Sequence, residues 1–160
     1  MADRRLVAVD LGLRTGLAVF GSDGRLERHA SRHFRNRSAL RAGANALLGE
    51  IDDLEVLVVE GDRTLAVAWE RHVARRGART LTVSPEVWRA RLLHPRERRD
   101  TRTAKAAADT LARSAIEHLG DAAPTSLRHD AAEAVLIGLW GVLEVGWLSE
   151  LPPSLDPRRR

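Results

Sequence analysis

Residues 5–20, RLVAVDLGLRTGLAVF, decide how the fold begins. The apolar run at 5–10 ends in Asp10, a tight turn follows, and a second apolar run occupies 15–20. Two such runs on either side of a short turn predict two antiparallel strands. A GSDG turn and a polar stretch at 25–34 then predict a third strand at the edge of the same sheet.

The rest of the chain alternates between helical and extended patterns. The first predicted helix is capped by Ser38 and runs to about residue 50. The later predicted elements are, in chain order, a strand at 54–60, a helix at 64–76, a strand at 79–83, a helix from Ser84-Pro85, a charged break at 95–102, a helix at 103–119, a loop at 121–128 and a helix at 128–148. Helices that link the later strands imply parallel pairing through right-handed crossovers. The sequence therefore predicts an α/β fold with a five-stranded mixed sheet, in which strands 1–3 form an antiparallel meander, the later strands are parallel and helices flank the sheet.

Length and composition suit one domain at 1–150, followed by a flexible basic tail at 151–160. The chain has no cysteine, which excludes disulfide frameworks, thiolate metal sites and cysteine nucleophiles. Its start lacks a signal-peptide core, and the longest nearly apolar run, at 134–148, is too short for a membrane span. These features predict a cytoplasmic protein.

The chain is basic, with a net charge of +4, and every basic residue except Lys105 is an arginine. A GC-rich genome and selection for phosphate contacts both explain this bias, and both interpretations stay open. One group of arginines forms either a solvated surface or, if it lines an acidic edge of the sheet, a track for DNA. Its members are the arginines at 71, 75, 76, 79, 89, 91, 96, 98, 99 and 102.

Four carboxylates occupy places that the predicted fold brings together. Asp10 and Glu60 end two apolar strands, and both lie at one sheet edge if those strands pair. Asp130 and Glu133 are three residues apart near the start of an apolar helix and share one of its faces. Taken singly, each acid also fits a solvated strand end or a favourable charge at a helix N-terminus.

Together, these carboxylates are typical of a metal site. A carboxylate at the end of a buried strand is unfavourable unless it is paired or binds a cation. No histidine or cysteine stands at a zinc-like spacing, so the oxygen-rich set favours Mg²⁺ or Mn²⁺. Two such ions held about 4 Å apart suit the hydrolysis of phosphodiester bonds.

The order of elements is similar to that of the ribonuclease H-like fold, which has acids on its first strand, its fourth strand and a late helix. Within that fold, residues 5–145 resemble the RuvC-like Holliday junction resolvases. VAVDLGLRTGLAVF resembles their opening strand, turn and strand, LEVLVVE the strand with the second acid, and HDAAEAVLIG the closing motif. VSPEVWRARLL resembles a proline–tryptophan stretch of the phage-type members.

The resemblance implies an activity, a partner and a set of site residues. The protein would be a bacterial or phage-type homodimer that hydrolyses branched double-stranded DNA at four-way junctions and leaves a 5′-phosphate. Asp10, Glu60, Asp130 and Glu133 would bind two Mg²⁺ or Mn²⁺ ions and act as the catalytic acids. Lys105, near the start of the next-to-last helix, would contact the scissile phosphate or hold a site carboxylate, unless its presence is chance.

Two features depart from the resolvase pattern. Glu133 stands where the bacterial enzymes commonly have aspartate, and its longer side chain shifts the position of a metal ligand. The loop before Lys105, RERRDTR, is charged where many resolvases are rich in glycine. This second departure bears on junction recognition more than on cleavage.

Alternatives remain for the function and for single residues. DLGLRTGLAV also resembles the opening of YqgF-like nucleases that act in RNA processing, and a non-catalytic nucleic-acid-binding module of the same fold is a further alternative. Trp88 either stacks on an unpaired base or packs against the sheet. His129 either assists as a ligand or proton carrier or caps the last helix. The last helix is apolar on every side, so we expect a dimer interface on it or on the helix that carries Trp69.

Overall fold

The order of strands and helices follows the sequence prediction. The computed structural model describes residues 3–120, 124 and 126–160, so half of the predicted loop at 121–128 lies outside the described residues. The described elements are β1 (Arg5–Leu11), β2 (Arg14–Gly21), β3 (Leu26–His33), α1 (Arg37–Gly49), β4 (Leu54–Gly61), α2 (Arg63–Arg75), β5 (Arg79–Thr82), α3 (Pro85–Leu92), a 3₁₀ turn (Pro95–Arg98), α4 (Thr101–Leu119) and α5 (His129–Glu144).

The five strands form one mixed sheet in the order β3-β2-β1-β4-β5. β2 pairs antiparallel with both β1 and β3, whereas β4 pairs parallel with both β1 and β5. This arrangement confirms the predicted α/β fold, with its antiparallel meander and its later parallel strands. The strand ends differ slightly from the prediction, because β1 and β4 each continue one residue beyond Asp10 and Glu60.

Helices cover both faces of the sheet. Side chains alternate along a strand, so Leu6 and Ala8 of β1 face α4 and α5, whereas Val7 and Val9 face α1 and α2. α5 lies very close to the strands because it presents glycine to them: a Cβ on Gly138 would overlap the ring of Phe20. This close approach brings the start of α5 over the end of β1.

α5 is covered within a single chain, which removes the sequence argument for a dimer interface on this helix. Every residue from 131 to 143 is buried, between the sheet on one side and α3 and α4 on the others. Trp69 on α2 is also fully buried. The apolar residues of α5 are therefore buried within its own domain. No apolar face of this helix is left exposed for a second subunit to cover.

Three helices begin earlier than their sequence patterns predict. Asn36, Asp62 and Asp100 precede α1, α2 and α4, and the side-chain oxygen of each accepts hydrogen bonds from backbone N–H groups two or three residues later. Such side chains satisfy donors that have no partner within the helix. The predicted cap at Ser38 is therefore wrong, and α5 ends at Glu144 rather than at 148.

The segment predicted to be a flexible tail packs against the domain. Leu155 is fully buried in the core on the α5 side of the sheet, and Asp156 is 4% exposed. The Arg160 side chain donates to the carbonyl oxygen of Leu92 at the end of α3. Leucines at 151 and 155 provide the apolar contacts that a charged tail would lack. In the part of the chain that the structure describes, no helix is long and apolar enough to cross a membrane.

Candidate metal centre

A row of four residues crosses the sheet beneath α5. Asp10 pairs in register with Glu60 on β4 and with Gly16 on β2, and Gly16 pairs in turn with Ser31 on β3. Residues in register on neighbouring strands point to the same face of a sheet. The row Glu60–Asp10–Gly16–Ser31 therefore faces α5, and the prediction that the first two acids meet at one sheet edge is confirmed.

Gly16 sets how closely the first turn of α5 approaches this row. A Cβ added at Gly16 would overlap the backbone carbonyl of Asp130. Because glycine has no side chain there, the helix start rests directly on β2. Glu133, one turn further along α5, then reaches the carboxylates of β1 and β4.

Three carboxylates meet at this place. Asp10, Glu60 and Glu133 each offer an oxygen, and the three oxygens lie within 4.8 Å of one another. Glu60 and Glu133 are buried, with 8% and 7% exposure, and Asp10 is partly exposed. Oε2 of Glu60 is buried without a hydrogen-bond partner among the described residues. An unsatisfied carboxylate oxygen in a cluster of like charges indicates a place for a positive group.

Burial and the repulsion of neighbouring charges make Asp10 and Glu60 hard to ionise. Burial, together with the charges of Glu60, Glu133 and Asp130, raises the pKa of Asp10 to about 8, against a smaller lowering effect of Arg89. A carboxylic acid with a pKa near 8 holds its proton at neutral pH unless a cation stabilises the charge.

The pKa of Glu60 is raised in the same way, to about 7, by burial and then by the charge of Glu133. The indole N–H of Trp88 acts in the opposite direction, but it is not aligned well enough to count as a hydrogen bond. Trp88 is fully buried, so the structure bears out packing against the domain rather than stacking on an exposed base.

Two basic side chains contact Glu133, and the sequence analysis did not assign one of them, Arg89, to the site. Arg89 donates from an Nη2 atom to Oε1 of Glu133 at 3.2 Å, and Nε2 of His129 lies 3.0 Å from the same oxygen. The guanidinium of Arg89 also stacks over the ring of Trp88, 5.3 Å from its centroid. Arg128 rather than His129 occupies the cap position of α5, and a role of His129 as a ligand or proton carrier stays a prediction. Arg89 brings a permanent positive charge into contact with the cluster.

Asp130 and Lys105 lie outside the three-carboxylate group. Oδ2 of Asp130 accepts a 2.5 Å hydrogen bond from the hydroxyl of Ser31, at the far end of the row, although its charge still reaches Asp10. Lys105 is exposed on α4, and it forms no ion pair with any acid that the structure describes. Ser31 and Arg89 carry no sequence signal of their own, since each reaches the site only through the packing of β3 and α3.

The donor set fits a hard divalent cation. It consists of carboxylate oxygens from two strands and one helix, with one oxygen left without a partner, and such ligands suit Mg²⁺ or Mn²⁺. Neither the models of known protein families nor the curated protein sequences provide a match to this chain.

Proposed function

We propose that the protein is a metal-dependent endonuclease of the RuvC-like Holliday junction resolvases, with a ribonuclease H-like fold, which hydrolyses phosphodiester bonds in branched DNA. The observation that carries the proposal is the meeting of Asp10, Glu60 and Glu133. These residues come from β1, β4 and α5, the elements on which the resolvase pattern has its acids.

The site residues take distinct roles. Asp10, Glu60 and Glu133 would hold the cations, and Asp130, oriented by Ser31, would complete the set at the open end of the row. Divalent ions bound here supply Lewis acidity for the attacking water and for the leaving oxygen. Arg89 and His129 contact Oε1 of Glu133, and no described residue donates a hydrogen bond to its other oxygen, Oε2.

Lys105 would contact substrate rather than the acids. It follows Ala104, which lines a groove of about 250 Å³ together with Glu86, Arg89, Arg98, Asp100 and Thr101. Because Lys105 is exposed and unpaired among the described residues, its ammonium group is available to a DNA phosphate near this groove.

Cleavage of a four-way DNA junction tests the proposal. Wild-type protein should cut the junction with Mg²⁺ or Mn²⁺ and should not cut it in chelator. Asp10→Asn should lower the rate at least about a hundredfold, because it removes a charged ligand from the cluster. The matched control is Asp109→Asn, which removes a surface acid whose one ion pair among the described residues is with Arg113 on the same helix. The control should cut at the wild-type rate.

Cleavage of other substrates, together with DNA binding and stabilisation by Mn²⁺, distinguishes the resolvase proposal from the two alternative functions. Faster cleavage of single-stranded RNA than of the junction would favour the YqgF-like alternative. DNA binding that is insensitive to chelator, without cleavage of any substrate and without stabilisation by Mn²⁺, would favour a non-catalytic binding module. Full activity of Asp10→Asn would remove Asp10 from the catalytic set.

A further inference from the structure

A basic groove runs between α1 and α2, on the face of the sheet opposite α5. Arg37 donates to the hydroxyl of Thr64 at 2.8 Å, and Asn45 lies 3.1 Å from Nδ1 of His72. Both contacts join residues at the same offset, since 45 is eight beyond 37 and 72 is eight beyond 64. The two helices therefore run side by side in the same direction over a length of about 12 Å.

All the charged side chains that line this groove are positive. Four arginines line it and no acidic residue does: Arg37, Arg41, Arg71 and Arg75. Four other grooves on the surface each include at least one aspartate or glutamate in their linings. The α1–α2 groove therefore keeps a positive potential that acids reduce at the other four.

Most of these arginines lack a counter-ion in the folded chain. Arg41, Arg71 and Arg75 form no ion pair with any acid in residues 3–120, 124 and 126–160, and Arg37 has only the exposed Asp62 at 4.0 Å. Some arginines elsewhere on the surface pair with acids, as Arg28 does with Glu50 and Arg113 with Asp109, but in this groove the unpaired ones are gathered along one concave surface. A concave surface with several unpaired guanidinium groups is suited to an external anion, because each guanidinium can donate two parallel hydrogen bonds to a phosphate.

The shape of the groove favours a nucleic-acid backbone over a single nucleotide. Leu40, Leu65 and Val67 are its larger apolar lining residues, and no aromatic ring is present on which a base could stack. A groove about 12 Å long is long enough to contact at least two consecutive phosphates of one strand of a duplex. Contacts of this kind bind and position DNA without reading its sequence.

We propose that the α1–α2 groove is a second DNA-binding site that takes the phosphate backbone of a duplex arm. The choice of DNA rests on the proposed function, whereas the preference for a phosphate backbone rests on the groove alone. The acid row lies on the α5 face and the groove on the other, with the sheet between them. The strand that enters the acid row therefore does not occupy the groove, and a branched substrate supplies a second arm that can.

Equilibrium binding of a labelled four-way junction in chelator tests this site. The test variant is the double substitution Arg41→Gln and Arg71→Gln, one from each wall of the groove. The control is Arg28→Gln and Arg113→Gln, which removes the same charge from two arginines already paired with acids. The groove variant should weaken binding about tenfold or more at 100 mM salt and reduce the salt dependence by about two counterions, and the control should change binding little.

Two further measurements separate this proposal from the nuclease proposal. Stabilisation by Mn²⁺ and the cleavage rate at saturating protein should be unchanged in the groove variant, because the acid row is intact. If the wild type binds DNA through the groove but never cleaves, the nuclease proposal fails and the groove proposal stands. Equal weakening in both double variants, or no weakening in either, would overturn the groove proposal. A change of oligomeric state in the groove variant, measured by sedimentation, would overturn it in favour of an interface between two copies.

Discussion

Asp10 makes the stability of the cation-free protein depend on pH. The unfolded chain releases this proton near the ordinary carboxyl pKa of 3.8, whereas burial holds the pKa near 8 in the folded chain. Between these values the unfolded state binds fewer protons, so the free energy of unfolding falls as the pH rises. The stabilisation is fully present below the lower value and is lost by the upper one.

We therefore predict that the protein in chelator loses stability from pH 5 to pH 8, by up to about 1.4 kcal/mol per pH unit from this one residue. Asp10→Asn should flatten the curve and should exceed the wild type in stability at pH 8. Urea unfolding at several pH values measures both curves. Parallel stability curves for the two proteins would show that the pKa of Asp10 is not raised in the folded chain. The repulsion among the site acids would then no longer support a bound cation.

Arg89 acts on the site through Glu133 and is a positioning residue. Its side chain is 19% exposed and that of Glu133 is 9% exposed, so solvent screens their ion pair weakly. Arg89→Gln should lower the stability of the cation-free protein by about 1–3 kcal/mol, because a buried carboxylate loses a charged partner. Mn²⁺ should then stabilise the variant more than the wild type, since the ion replaces the missing positive charge.

Arg91→Gln is the control, because Arg91 lies on the same helix but is exposed. Thermal unfolding with and without Mn²⁺ gives the required comparison. A merely structural role for Arg89 predicts equal losses of stability with and without the ion. A metal-induced shift as small in Arg89→Gln as in the control would therefore exclude the positioning role.

At the scale of elements, Gly16 couples β2 to the start of α5. A methyl group at this position would overlap the carbonyl of Asp130, which belongs to the backbone and has no room to turn aside. Gly16→Ala should therefore displace the first turn of α5, destabilise the protein by about 3 kcal/mol or more and abolish stabilisation by Mn²⁺.

Gly49→Ala provides the matched control, because nothing lies within 4 Å of a Cβ at that position near the end of α1. This substitution should be neutral or stabilise by up to about 1 kcal/mol, since alanine restricts the unfolded chain. Unfolding curves with and without Mn²⁺ decide the comparison. Wild-type stabilisation by Mn²⁺ in Gly16→Ala would show that α5 does not need this close approach to complete the site.

The sequence predicts the strands better than the helix ends. Apolar runs that end in Asp10 and Glu60 can form a buried parallel pair in only a few ways, and parallel pairing places both acids at one edge. The start of a helix depends on which polar side chain accepts a hydrogen bond from the backbone of the first turn. Asn36 and Ser38, two residues apart, are both suitable N-caps for α1, and Asn36 is the one that caps it. Local backbone geometry decides between such caps, and the spacing of apolar residues gives no information about that geometry.

The candidate site shows the same division. The acids of the site follow from patterns along the chain, whereas the contacts of Arg89 and Ser31 depend on how α3 and β3 pack against α5. The chain has 25 arginines, and nothing in the sequence distinguishes the one at position 89 from the others. The element on which each site acid lies is therefore predictable from this sequence, whereas the side-chain contacts between different elements are not.

At the scale of the whole molecule, the two faces of the sheet carry different chemistry. The α5 face holds the acid cluster, and the α1–α2 face holds the basic groove. A net charge of +4 thus conceals a separation of charge across the sheet. If both proposals hold, one arm of a branched DNA would approach the acids while phosphate contacts in the groove would bind another arm.

The C-terminal segment closes the α5 side of the molecule and supports the site from a distance. Leu155 is fully buried in that core, and Arg160 holds the end of α3, the helix that carries Trp88 and Arg89. Leu155→Ala should therefore destabilise the protein by about 2–4 kcal/mol, the usual range for a cavity of this size. Leu13→Ala, at a position that is 41% exposed, should change stability by less than about 0.5 kcal/mol.

Hydrogen exchange of the α3 amides extends this test from stability to the site. If the segment fastens α3, Leu155→Ala should speed exchange at Trp88 and Arg89 more than at the central residues of β1, which the sheet protects on both faces. Loosening α3 should in turn weaken the hold of Arg89 on Glu133 and enlarge the stabilisation by Mn²⁺, as in Arg89→Gln. Unchanged exchange in α3 together with wild-type stability would show that residues 151–160 only lie against the domain and play no part in positioning Arg89.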